Sequence, residues 1–438
     1  MPKTYYVYIL TNASRASLYT AVAGGPSKRI HEHKDGTGSK FASKYKTTVL
    51  VYAKAFKYVK DALRIRNRRG ERRMYQWRRA SCICAIVLSS AVAAANDAAL
   101  YFPPADGAWQ TVAPEDAGWD AEKLDEALRY AGETNSSGVV VLHKGRILAE
   151  RYWELDDPSE RYQRMKVGTT PDGRAIEDVA SVQKSVVSFL VAVARERASL
   201  KLSDRVSNYL DIGWSDTHRD REHEITLHQI MSMTSGLKPD LSYQAEPGTL
   251  WRYNTRAYSK MVRVLEVASK QDIESLTRDR LTEPTGMVDS RWAERTWLTG
   301  GIDANKIGFA TTARDLARFG LLILADGAWK DTALITDTHL LDDMFETSQR
   351  LNPAYGLLWW LNGKERFIAA SRGPGTGPLV PTAPDDMIAA LGALGRKCYV
   401  VPSLGLVVTR LGDAPGPNFD REFWRRLSAA APDAAPEG

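Results

Sequence analysis

Cysteine is scarce in this chain, with 3 in 438 residues; Cys82 and Cys84 sit together in one apolar stretch, and Cys398 stands alone in the remainder. If that stretch is removed, no intramolecular disulfide is possible, even in an oxidising compartment. Cys398 lies in the strand-like run Cys-Tyr-Val-Val, a place for a small buried hydrophobe rather than a nucleophile. No His/Cys/Asp cluster has ligand spacing, so neither a metal nor an organic cofactor is expected. Long apolar runs are lacking too. The best, between residues 80 and 95, is shorter than the ~20 residues of a comfortable span, so no stable membrane span is expected.

Acidic residues are rare in the first eighty positions, which hold 19 Lys and Arg against 4 Asp and Glu, a net +15 that leaves −9 for the rest of the chain. The overall +6 averages two unlike pieces. A basic opening segment suits a polyanion such as nucleic acid, and the acidic remainder has no such bias. Between them, residues 74–95 run from Met74 through Arg78-Arg79 and an apolar core to a small-residue Ala-x-Ala end, the pattern of a secretory signal peptide. A polar, Pro-containing linker over 96–112 follows, and residues 431–438 read as a disordered tail.

Beyond residue 112 the pattern is mixed α and β. Asp120 caps a run with apolar residues at helical spacing, and two strand-like runs flank Lys144-Gly145 as a hairpin. Runs at 397–401 and 406–410 flank Pro402-Ser-Leu-Gly405 as a second hairpin, and 419–427 reads as a closing helix. Strands at both ends with helices between suggest one sheet assembled from distant parts of the chain.

The candidate chemistry lies at Ser181-Val-Gln-Lys184, at the mouth of the all-round apolar run 185–194. Residues three apart on a helix are neighbours, so the Lys184 amine can reach the Ser181 hydroxyl. Burial of the helix pushes that lysine toward its free-base form. A serine in the first turn also meets unpaired N–H groups and the positive end of the helix dipole. The motif by itself is weak, since about two Ser-x-x-Lys matches arise by chance in a chain this long. Ser43-Lys44-Tyr45-Lys46 is indeed a second one, in a Lys-rich polar stretch.

Companion segments follow in order: Ile225 to Leu237 with Ser235-Gly236, Pro247-Gly-Thr-Leu-Trp-Arg-Tyr253-Asn254-Thr255, Tyr355 to Trp360, and Ala390-Leu-Gly392-Ala393 running on to Ser403. With Ser181-x-x-Lys184 they make the region 113–430 resemble the serine beta-lactamase, penicillin-binding and esterase superfamily. That resemblance implies an α/β (α+β) fold, an antiparallel sheet flanked by helices with a mainly helical subdomain. It also implies catalytic roles for Ser181, Lys184 and Tyr253, with Tyr253 sharing proton transfer as a phenolate or its hydrogen-bonded equivalent. The Ser181 and Ala393 N–H groups become the expected oxyanion donors, Gly392 lets the strand approach, and Asn254 and Thr255 stand at substrate-binding positions. His228 is expected to be structural, with no charge-relay triad to include it. Two departures matter. The family's Tyr-x-Asn reads Tyr253-Asn254-Thr255, and its Lys/His-Thr-Gly strand reads Ala390-Leu391-Gly392. Without that cation, the obvious partner for a β-lactam carboxylate is gone, which favours a small-molecule ester or amide substrate. The Tyr-Asn-Thr variant and Trp359-Trp360 resemble the branch of 6-aminohexanoate-oligomer hydrolases and related esterases. A non-catalytic penicillin-binding-like module is the alternative.

Residues 3–80 resemble the GIY-YIG endonuclease family. Val7-Tyr8-Ile9 and Tyr19-Thr20-Ala21 stand at its two triplets, and Lys28 to Lys34 match its basic helix. The resemblance places its catalytic arginine at Arg29 within a helix that includes His33, and its metal-binding glutamate at Glu71. Ala21 replaces a family glycine. Either this is a working nuclease module, the one case in which nucleic acid is a partner, or it is a degenerate remnant ahead of a hydrolase whose true start is Met74. The second is expected, because a signal peptide works from the N-terminus; such a product would be periplasmic or secreted.

Overall fold

The computed structural model describes residues 5–11, 18–23, 49–56, 100–298, 305–370 and 373–432, and the chain divides into two units, Met1–Ala99 and Leu100–Gly438. In the first unit, β1 (Tyr5–Thr11) is the centre of an antiparallel sheet between β2 (Leu18–Ala23) and β3 (Val49–Phe56). Tyr8 stands opposite Ala21 and Ala53, and Tyr19 opposite Leu10. Arg29, His33, Glu71 and the signal-like segment 74–95 lie outside the described residues.

The second unit begins its strands with β4 (Ser136–His143), β5 (Arg146–Tyr152), β6 (Lys166–Thr169) and β7 (Ala175–Asp178). After a helical stretch come β8 (Arg291–Glu294), β9 (Ile307–Thr311) and the small hairpin β10 (Ala328–Trp329) with β11 (Thr332–Ala333). The last part adds β12 (Trp360–Leu361), the hairpin β13 (Arg366–Ala369) with β14 (Gly373–Thr376), then β15 (Ile388–Leu391), β16 (Lys397–Val401) and β17 (Leu406–Gly412). The main sheet is antiparallel, in the order β12-β15-β16-β17-β4-β5, so strands from both ends of the domain do meet. A smaller sheet, β6-β7-β9-β8, delivers the chain to Ser181.

Local sequence explains the first hairpin. Lys144 (φ 49°) and Gly145 (φ 85°) both lie in left-handed conformations, as a two-residue turn matched to strand twist requires. Five helices matter here: α1 (Ala121–Glu133), α2 (Gln183–Glu196), α3 (Thr255–Ser269), α4 (Ala313–Leu324) and α5 (Phe419–Ala430). Asp120 caps α1 by accepting the Lys123 N–H. The side-chain period of two on β16 and β17 sets the layers. Cys398, Val407 and Thr409 face α4, where Gly320 packs against the first two and Thr409 Oγ1 donates to Ala313 O. Tyr399 and Lys397 face α5, where Tyr399 meets Trp424 edge-on at 5.4 Å and Lys397 pairs with Asp420 at 2.6 Å. With both faces covered, all seven residues of β17 are buried, and the Cys398 thiol is pushed upward by burial.

Residues 100–112, expected to be linker, instead belong to the domain. Leu100 and Trp109 are buried, Trp109 Nε1 donates to Gly145 O at 2.8 Å, and Arg318 Nη2 donates to Pro104 O at 2.7 Å. Among the described residues, no helix is long and apolar enough to cross a membrane.

Candidate functional site

β7 ends at Asp178, and the chain passes through a 3₁₀ turn, Ala180–Val182, before α2 begins at Gln183. Ser181 therefore stands in the turn ahead of the helix rather than in the first α-helical turn. No side chain caps this helix, so the Ser181 hydroxyl is left for Lys184, whose Nζ donates to Ser181 Oγ at 3.0 Å. α2 is buried on every side from Gln183 to Ala194, and Lys184 is 1% exposed. Burial, and then the charge of Arg295, bring its ammonium down to about 7. Ser181 itself is only half-buried.

Tyr253 closes the other side of the pair. Lys184 Nζ lies 5.0 Å from the centre of its ring and 4.5 Å from that of Tyr258. Burial raises the Tyr253 phenol to about 12, against a smaller lowering by its hydrogen bond to Ser181. At neutral pH the phenol therefore keeps its proton. Of the two groups beside Ser181, Lys184 is thus the one whose pKa lies near neutrality. Tyr253 stacks on Trp360 (6.1 Å, 20°), and Tyr355 and Trp251 fill out an aromatic cluster around it. Trp359, on the opposite side of the chain, stacks on Phe319 in the core.

The Ser235-Gly236 segment holds the tyrosine loop. Gly236 (φ 76°) passes so close to Ala245 that a Cβ would lie 2.1 Å from its carbonyl oxygen, Gly248 N–H donates to Thr234 O at 2.7 Å, and Arg252 N–H donates to Met233 O at 2.9 Å. Asn254 completes the hold. Its Oδ1 accepts the Ala257 N–H at 3.1 Å, capping α3, and its Nδ2 donates to Leu237 O and Lys238 O at 3.1 and 2.9 Å. With both amide donors engaged, Asn254 positions Tyr253 and offers no free donor to a substrate. Thr255 is half-buried at the first position of α3. Asn254→Ala is expected to destabilise the fold by about 2–4 kcal/mol, the loss of a cap and of buried hydrogen bonds, measured as a lower urea midpoint.

Gly392, just after β15, has φ −126°, which any residue adopts; its need is space, since a Cβ would lie 2.4 Å from Val179 O and 3.2 Å from Val182 Cγ2. The strand thus touches the Ser181 turn. Ala393 follows, and among the described residues neither its N–H nor that of Ser181 has a hydrogen-bond acceptor. The turn at 393–395 is fixed from behind by Arg410, whose Nη1 donates to Leu394 O and Gly395 O at 2.9 and 3.0 Å. Arg396 pairs with Glu177 at 2.9 Å, both fully buried. Ala390 is buried, and Lys397 points at Asp420, so neither supplies the absent cation. His228 is half-buried beside the Arg195–Asp343 pair, with its pKa lowered mainly by burial. Arg195 is about 16 Å along α2 from Lys184 at the ordinary helical rise.

Sequence reasoning did not find Arg295, Asp178, Gln183, Glu177, Arg396 or Arg410. No local pattern announces a buried charge whose partner is a hundred residues away. Asn254 was findable as a cap, from its place immediately before a helical run. Among the described residues, no group of three or more His, Cys, Asp or Glu is placed to hold a metal ion.

The beta-lactamase family profile matches residues 121–432. An uncharacterised protein of Alkalihalophilus pseudofirmus is 20% identical over 301 residues, 64% of this chain and 84% of that protein. In structure, a protein assigned as a 6-aminohexanoate-dimer hydrolase from Bacillus anthracis is similar with a TM-score of 0.55 at 15% identity, covering 75% of this chain and 88% of the other. A beta-lactamase/D-alanine carboxypeptidase from Pseudomonas syringae gives 0.51 at 16% identity, covering 71% and 99%. Likeness at such identities establishes the fold alone. The profile, by contrast, spans most of the chain and takes in the turn, the helix, the tyrosine loop and the late strands of the site; the chain belongs to the beta-lactamase family of serine hydrolases.

Proposed function

We propose that this domain hydrolyses a small ester or amide through an acyl-enzyme on Ser181. The observation that carries the reading is a lysine buried to 1% exposure, with its pKa brought to about 7 and its amine 3.0 Å from the serine hydroxyl. As Ser181 Oγ bonds to the substrate carbonyl carbon, its proton passes to Lys184; as the carbon to leaving-group bond breaks, that proton passes to the leaving atom by way of the Tyr253 hydroxyl. Water then attacks the acyl-serine ester, returning the serine and releasing the acid. The free N–H groups of Ser181 and Ala393 would hold the oxyanion. The absence of a cation on β15 supports an ester or amide without the carboxylate a β-lactam carries. Short linear amides of the kind named for the Bacillus anthracis relative belong in the substrate panel.

A fluorophosphonate probe is expected to label Ser181, located by peptide mass spectrometry. Ser181→Ala is expected to lower kcat/KM for short-chain p-nitrophenyl esters by about 10³-fold or more. Labelling elsewhere, or full turnover by Ser181→Ala, would sink the proposal.

A further inference from the structure

The chain on either side of Ser181 is held by one arginine. Arg295 follows β8, where its N–H donates to Lys306 O at 2.7 Å, and its side chain is 6% exposed. Its Nε and Nη2 donate to Asp178 Oδ2 and Oδ1 at 2.6 and 2.8 Å, a two-pronged grip on the residue three before the serine. Nη2 also donates to Gln183 Oε1 at 2.8 Å, two residues after it, and Nη1 to Asn305 O at 2.8 Å. Asp178 in turn accepts the Ala180 N–H at 2.9 Å, and Ala180 has φ 51°. That left-handed conformation is costly for alanine, and it is what turns the chain so that Ser181 faces Lys184. Gln183 is anchored further by the Phe309 N–H at 3.3 Å and by its own donation to Asn305 Oδ1 at 2.9 Å.

We propose that Arg295 is a positioning residue for the Ser181–Lys184 pair: through Asp178 and Gln183 its guanidinium fixes the strained turn before the nucleophile and the start of the helix after it. The inference rests on the acyl-enzyme reading of this site. A structural ion pair needs only to satisfy its own charges, and this one binds the chain on both flanks of the serine. It also places a fixed positive charge near the buried amine of Lys184. The other ionisable groups against that amine are Tyr253 on its loop and Tyr258 on α3, and Tyr355 before β12 packs on Tyr253. On β7, Asp178 is paired with Arg295 and Glu177 with Arg396. Of these, Arg295 is the cation with no role of its own in proton transfer. Its loss makes Lys184 easier to protonate and moves the acidic limb of the rate profile upward.

The test is the pH dependence of fluorophosphonate labelling and of p-nitrophenyl ester turnover in the full chain, with thermal melting alongside. Asp178→Asn/Arg295→Met removes both charges together. It is expected to lower kcat by roughly 10- to 100-fold with KM within about threefold. A folded double variant that keeps the native kcat overturns the inference, whatever its melting temperature. Where the double variant does not fold, Arg295→Lys carries the test. It keeps the charge and loses the fork, so the limb should hold while kcat falls by about tenfold, and an unchanged kcat overturns the inference. Labelling of the native chain away from Ser181 removes the acyl-enzyme reading and this inference with it; labelling at Ser181 with native kcat in the folded double variant removes this inference alone.

Discussion

Lys184→Met is expected to cut turnover by about 10³-fold and to make the fold more stable. The two effects have one cause. An ordinary lysine is protonated up to about 10.5, and burial brings this one to about 7 in the folded chain. Between those values the unfolded chain binds more protons than the folded one, so the native protein gains stability as pH rises from about 7 toward 10.5. Below about 7 the lysine is charged in both states and the deficit is full. Methionine has a similar unbranched shape, fits the same apolar surroundings and carries no charge to desolvate. After allowing about 1 kcal/mol for the lost hydrogen bond to Ser181, the variant should gain about 3 kcal/mol at pH 7. By pH 10 the gain should be close to zero. Urea unfolding at the two pH values reads this directly. Ester turnover should fall by about 10³-fold, because the remaining groups include no base near neutrality. Equal destabilisation at both pH values would show that the lysine is not held as a free base.

Such a trade of stability for chemistry also explains what could be read from the residue order. The Ser181–Lys184 contact was legible because a three-residue spacing near a helix start leaves little choice of geometry, and the apolar run behind it announced the burial that shifts the lysine. The hairpin at Lys144-Gly145 and the core place of Cys398 were legible for the same reason, being consequences of neighbours in sequence. Residues 100–112 misled because Pro103-Pro104 and the polar stretch to Gly107 are what a linker contains; what ties them down is the guanidinium of Arg318, far along the chain. Asn254 misled in another way. Its place in a family motif suggested contact with substrate, and its place before α3 makes it a cap. The buried pairs Asp178–Arg295 and Glu177–Arg396 had no signal at all, since their meaning arises only when β7, β9 and the late strands meet. Adjacent carboxylates on β7 thus brace two segments, one the Ser181 turn and the other the stretch that carries Ala393.

Gly392→Ala is expected to cost at least as much activity as the loss of an oxyanion donor. The glycine's backbone is ordinary, so the substitution introduces no conformational strain of its own; what it introduces is a methyl carbon 2.4 Å from Val179 O and 3.2 Å from Val182 Cγ2. Neither neighbour can yield easily. Val179 N–H is bonded to Phe309 O at 2.9 Å, its carbonyl accepts the Val182 N–H at 3.1 Å, and both valines are fully buried. The strand end must therefore move away from the Ser181 turn, carrying the Ala393 N–H with it. A donor displaced by a few tenths of an ångström from a developing oxyanion loses much of its effect, and kcat should fall by about 10²- to 10³-fold with a small change in KM. Stability should fall by only about 1–3 kcal/mol, the usual cost of overpacking, so the variant remains folded and measurable. Gly168→Ala is the control, because its added carbon meets nothing nearer than 3.6 Å and it lies on β6, away from the serine. It should keep native turnover. If Gly392→Ala also did so while folded, the Ala393 N–H could not be holding the oxyanion, and the second donor would have to be sought elsewhere around Ser181.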